Sequence, residues 1–158
     1  MRTAYRMLAY LVAAEVLVQA MAIAYALAGM GHWVDKDGGV VDKALFDSDN
    51  PDFPGVGGFM VHGLNGTMII PIVVLLLLII SFFTKLPGAS KRAGILVGLV
   101  VVQVFLGIFS HELPYAIMLH ALNAFLIFSV AALTANRLRL TGSLDGSAAP
   151  ADRTAVAV

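Results

Sequence analysis

Residues 59–83 read FMVHGLNGTMIIPIVVLLLLIISFF, twenty-five positions without one charged side chain. As a helix rising about 1.5 Å per residue, such a run exceeds the roughly 30 Å hydrocarbon thickness of a bilayer. Three more apolar runs accompany it, at 7–30, 93–110 and 114–136, and Glu15 is the only formally charged residue inside any of the four. The whole chain agrees: 59% of its 158 residues are hydrophobic, 13% are charged, and its mean hydropathy is +0.89. A soluble domain of this size with so few charges would expose large apolar patches. The expected fold is an all-α integral membrane protein, an antiparallel four-helix transmembrane bundle over residues 1–140.

Pro71 lies within the quoted run and has no amide hydrogen for the Thr67 carbonyl, so a kink or loosening of that helix is expected there. Only His111, Glu112 and Leu113 separate the third and fourth runs, with Pro114 at the next helix start, which demands an antiparallel hairpin. The first run exceeds the usual length of a signal-peptide core and contains Glu15, so it reads as a retained span. Residues 31–58 form an outer loop with room for a short helix around 41–46. Residues 141–158, small and polar, read as a disordered tail.

Charge supplies the direction. Arg2, Arg6, Lys85, Lys91, Arg92, Arg137, Arg139 and Arg153 fall on one side, against Asp145 and Asp152, for a net +6. The other side carries Lys36 and Lys43 with six aspartates and Glu112, for a net −5. The positive-inside rule then puts both termini in the cytoplasm and the acidic loop outside, in a bacterial inner membrane. With zero net charge there is no global basic excess for nucleic acid. The absence of cysteine excludes disulfides, thiolate nucleophiles, iron–sulfur clusters and covalent haem attachment.

The second run contains His62-Gly63-Leu64-Asn65-Gly66 and the fourth His120-Ala121-Leu122-Asn123-Ala124. Val18-Gln19 and Val102-Gln103 match more weakly in the runs before them. Spans one and two thus correspond to spans three and four, a parallel repeat about a pseudo-twofold axis along the membrane normal. His62 lies three residues into its span and His120 six, depths of about 5 and 9 Å, so the two imidazoles can share one level from opposite sides of the axis.

A planar tetrapyrrole needs one nitrogen above its iron and one below, and neutral imidazole suits iron. Gly66 and Ala124, four residues beyond each histidine, lie on the same helix face and would let a flat macrocycle approach. Asn65 and Asn123 also point inward, toward cofactor edges or a neighbouring helix. The expected cofactor is haem b, with His62 and His120 as axial iron ligands and Asn65, Asn123, Gly66 and Ala124 as its surroundings. A lone intramembrane histidine more often bridges helices; two in a repeated context favour a ligand pair.

His32 and His111 sit at the outer boundary, where contact with haem propionates or a quinone head group competes with plain solvation. Lys36 and Lys43 are candidates to neutralise propionates in the same way. Trp33 and Tyr115 read as interfacial anchors. Glu15, one turn from Gln19, suits a buried polar patch, a proton path or an oligomer contact, and equally a helix-packing hydrogen bond or snorkelling.

The stretch Val101-Val102-Gln103-Val104-Phe105-Leu106-Gly107, the hairpin through Leu113-Pro114, and Leu119-His120-Ala121-Leu122-Asn123-Ala124 together resemble one four-helix half of the heme A synthase family. The resemblance covers spans two to four and, loosely, the first. It implies that His62 and His120 occupy axial-ligand positions. The chain also resembles a group of small bacterial four-helix membrane proteins with the same His-x-x-Asn elements. It departs from heme A synthases at Phe59, where they carry a glutamate, in having no cysteine, and in comprising one half. The resemblance therefore implies haem binding, and heme A chemistry only if two copies pair as a homodimer. The expected function is electron transfer or haem handling at the lipid bilayer with a quinone or redox partner protein. A cofactor-free accessory subunit, a dimeric haem-modifying oxidase and a carrier using Glu15 remain as alternatives.

Overall fold

A computed structural model of the chain describes residues 1–49, 51–110 and 112–146. Its elements are α1 (Arg2–Asp37), α2 (Lys43–Phe46), α3 (Val56–Leu64), a π-helical turn (Asn65–Ile69), α4 (Ile70–Ser81), α5 (Ala89–Phe109) and α6 (Ala116–Gly146). Four helical segments are long and apolar enough to cross a membrane: α1, the run Val56–Ser81, α5, and α6 over Ala116–Asn136. The fold is an all-helical, multi-pass membrane bundle.

The apolar runs mark the helices but not their full lengths. α1 extends seven residues beyond the expected end at 30 and stops at Gly38, whose left-handed backbone (φ 69°) no side chain has to share. The outer loop is correspondingly shorter. Its brief helix starts at Asp42, whose carboxylate accepts the Leu45 amide at 3.0 Å. α6 runs through Gly146, so residues 141–146, assigned to a disordered tail from sequence, are helical; 147–158 lie outside the described residues.

The irregularity expected at Pro71 takes the form of the π-helical turn just before it. Proline cannot close the ordinary bond to the carbonyl four residues back, and one wider turn absorbs the defect. Thr67 Oγ1 donates to the Gly63 carbonyl at 2.7 Å in this turn, giving backbone at membrane depth another donor.

α1 packs on α4 and α6, and α5 packs on the same two, so the spans form a ring in which the second and fourth stand diagonally opposite. The close-packed core fills the half near the chain's start. Tyr5, Ala9 and Val12 of α1 meet Val73, Val74 and Leu77 of α4, Ala93 and Leu96 of α5, and Ile127, Ala131 and Ala135 of α6. Two tyrosines tie this end: Tyr5, fully buried, donates to the Ala89 carbonyl at 3.0 Å, and Tyr10 donates to Asn136 Oδ1 at 2.9 Å.

Toward the other end the chain relies on close backbone approach. A Cβ on Gly58 would lie 2.4 Å from the Ala22 carbonyl oxygen, and one on Gly29 2.0 Å from that of Pro54. Small residues let α1 and α3 touch where lipid removes any hydrophobic reason to associate. Trp33 stacks on buried Phe53 at 5.7 Å, and Phe53 meets Phe59 edge-on at 6.1 Å, covering the entry to α3. In this half α3 packs chiefly on α1, whereas α4 below it is held by both α1 and α5.

Candidate functional site

Above the apolar core sits a layer of polar side chains. α3 supplies His62, the π-helical turn Asn65, α1 Glu15 and Gln19, α5 Gln103, and α6 His120 and Asn123. Asn65 and Asn123 are each only 7% exposed, and both histidines are half-buried. The diagonal placement of their helices brings the two imidazoles together across the bundle, ring centres 6.1 Å apart and planes inclined by 49°.

Each ring is held in the same way. His62 Nδ1 lies 3.2 Å from the Gln19 carbonyl oxygen, and His120 Nδ1 lies 3.1 Å from the Gln103 carbonyl oxygen. A carbonyl can only accept, so both Nδ1 atoms donate, and in the neutral ring the lone pair falls to Nε2. That is the tautomer a metal-binding histidine needs, set by the backbone bond that typically accompanies ligation. Gly107 makes room for one ring, since a Cβ there would stand 3.2 Å from His120 Cε1.

The site residues expected from sequence thus lie near one level, but their side chains serve different partners. Asn123 Nδ2 donates to the Leu99 carbonyl at 2.8 Å and to Gln103 Oε1 at 2.7 Å. Asn65 Nδ2 donates to Glu15 Oε2 at 2.8 Å. Both asparagines therefore bridge neighbouring helices, the second of the two roles expected for them. Gly66 lies under the Gln19 amide, with its notional Cβ 3.2 Å from Gln19 Nε2, and that nitrogen donates to the His62 carbonyl at 3.1 Å. Ala124, the counterpart of Gly66, is half-buried. Glu15 makes a helix-packing hydrogen bond, one of the roles open to it.

Other expected contributors stand apart. Lys36 pairs with Asp35 at 2.7 Å and Lys43 with Asp47 at 2.5 Å, so both lysines are engaged within the acidic segment. His32 and Tyr115 are exposed. His111 lies outside the described residues. Sequence reading overlooked Gly107 as a ring-clearing position and the backbone of Gln19 and Gln103 as the orienting acceptor. The weak Val-Gln match between the first and third spans was the available signal.

An imidazole nitrogen binds a first-row metal at about 2 Å, and the ring centre lies about 1 Å behind it, so two rings on opposite sides of one metal have centres about 6 Å apart. The observed 6.1 Å fits that separation. Among the described residues no group of three or more His, Cys, Asp or Glu gathers. The metal-binding donors brought together in this layer are two imidazoles. Comparison with protein-family models, with curated proteins and with solved structures finds no match for this chain.

Proposed function

We propose that this protein holds one b-type haem between His62 and His120 in a membrane and serves in electron transfer or haem handling. The observation that carries the reading is the pair of imidazoles 6.1 Å apart, each with Nδ1 committed to a glutamine backbone carbonyl. A bound haem would supply one-electron chemistry; the chain supplies two oriented imidazoles, a half-buried setting and freedom from competing thiolate ligands. The shared Nδ1 contact also supports the two-hairpin repeat about a pseudo-twofold axis. With the charge asymmetry, this reading places both termini in the cytoplasm and the haem in the outer half of a bacterial inner membrane.

The test is spectroscopic. Protein expressed with ample haem and purified in detergent is expected to show a Soret band that shifts on dithionite reduction. H62A and H120A should each lose most of it. No Soret band in the wild-type protein, or a band that survives the double substitution, sinks the assignment.

One observation favours a second reading: each histidine bridges its helix to the one before it, as a purely structural residue does. On that reading the protein is a cofactor-free accessory subunit, and H62A and H120A lower the unfolding temperature without any spectral consequence.

A further inference from the structure

The two sides of the polar layer share their Gln, His and Asn residues and differ one turn before each glutamine, as well as in the π-helical turn that carries Asn65. Four residues before Gln103 stands Leu99; four residues before Gln19 stands Glu15. Where leucine occupies the position, Asn123 Nδ2 donates to both the Leu99 carbonyl and Gln103 Oε1, so the glutamine oxygen has its donor. Where glutamate occupies it, Asn65 Nδ2 turns to Glu15 Oε2 instead. Asn65 Oδ1 and Gln19 Oε1 are then buried without a hydrogen-bond partner.

Turning the amides over does not relieve this. Asn65 Nδ2 faces a carboxylate oxygen and Gln19 Nε2 faces the His62 carbonyl, so a flip of either would set oxygen against oxygen. A carboxylate and two amide oxygens lacking donors therefore belong to the residues packed on the His62 side. The His120 side has no counterpart. Unsatisfied buried acceptors destabilise a fold, and a leucine in the corresponding place avoids them, so Glu15 stands at a position where stability alone would select otherwise.

We propose that Glu15 sets the reduction potential of the metal site. It concentrates acceptor oxygens on the His62 side and would so favour the oxidised form of a bound haem. The inference rests on the haem reading. Loss of one electron from a bound haem would add a unit of positive charge beside the imidazoles, and in a lipid-embedded, weakly screened setting nearby oxygens would stabilise that charge far more than in water. Glu15 touches neither imidazole in any hydrogen bond; it acts through Asn65, and through the field it creates.

Two variants test this, with two readouts each. E15L installs the side chain found at position 99 and frees Asn65 Nδ2 to reach Gln19 Oε1; E15Q replaces the carboxylate with little change of shape. Redox titration of the haem-loaded protein is expected to show a higher midpoint for both. At a fixed ambient potential the reduced-to-oxidised ratio should rise at least about tenfold, or 59 mV for a one-electron couple. Thermal unfolding of haem-free protein is expected to place E15L above wild type. Unmoved or lowered midpoints in both variants overturn the proposal, as does an E15L protein that melts below wild type, which would make Glu15 a structural strut. A wild-type protein with no Soret band overturns the haem reading and this inference with it. A band with an unmoved midpoint overturns this inference alone.

Discussion

Asn123 gives the polar layer its clearest energetic handle. One nitrogen serves a backbone carbonyl and a glutamine side chain on α5. An interhelical hydrogen bond inside a membrane contributes about 0.6 kcal/mol on average, below the 1–3 kcal/mol that follows from orphaning a buried polar group in a soluble core. N123L removes both bonds and leaves Gln103 Oε1 without its donor, so a loss of about 1–2 kcal/mol is expected. Reversible unfolding in mixed detergent measures it; a variant as stable as wild type would show that the layer is not held by this amide. Residues 62, 65, 120 and 123 were legible from sequence because histidine and asparagine are expensive in lipid and recur here in one pattern. Their partners were not legible. The acceptors for the histidines are backbone carbonyls, identical in every residue, and only the packing of α1 on α3 and α5 on α6 selects which ones.

At the level of elements, the first hairpin depends on glycines that carry no signal of their own in so apolar a chain. Gly29 and Gly58 bring α1 and α3 to backbone contact, and α3 carries His62. In G58A the new methyl would meet the Ala22 carbonyl oxygen at 2.4 Å, so the helices must separate. A destabilisation of about 1–3 kcal/mol is expected, the usual range for forcing a methylene into a packed contact. The histidine pair should spread with it, weakening the Soret absorbance of haem-loaded protein more than L133A does, at an exposed position on α6. Equal spectra for the two variants would show that α1–α3 contact does not position His62. Pro71 announced a defect in the second span, since a missing amide hydrogen is a local fact. That a π-helical turn takes up the defect, placing Asn65 against Glu15, depends on which neighbouring groups accept the displaced bonds.

Across the whole molecule, basic and acidic ends differ in packing as well as charge. The aliphatic core lies between the helix halves near the N-terminus, and the polar layer caps it. Since the chain has no cysteine, single introduced thiols report orientation without background. On the proposed orientation, with both termini in the cytoplasm, D49C in the acidic segment is expected to react with an impermeant maleimide added to intact cells, whereas K85C should react only after the membrane is opened. The reverse pattern would invert the topology. The sequence alone determined that the chain is helical and membrane-spanning, where its four spans run, and which rare polar residues lie in them. Those outcomes follow from local quantities: runs of apolar side chains long enough to cross hydrocarbon, and a backbone that must bond to itself there. Only the tertiary structure decided that the second and fourth spans stand diagonally, that their imidazoles meet at 6.1 Å, and that Asn65 is claimed by Glu15 while Asn123 is not. Those depend on how four nearly uniform apolar surfaces fit together, where small residues and close backbone approach select among arrangements that hydropathy cannot tell apart.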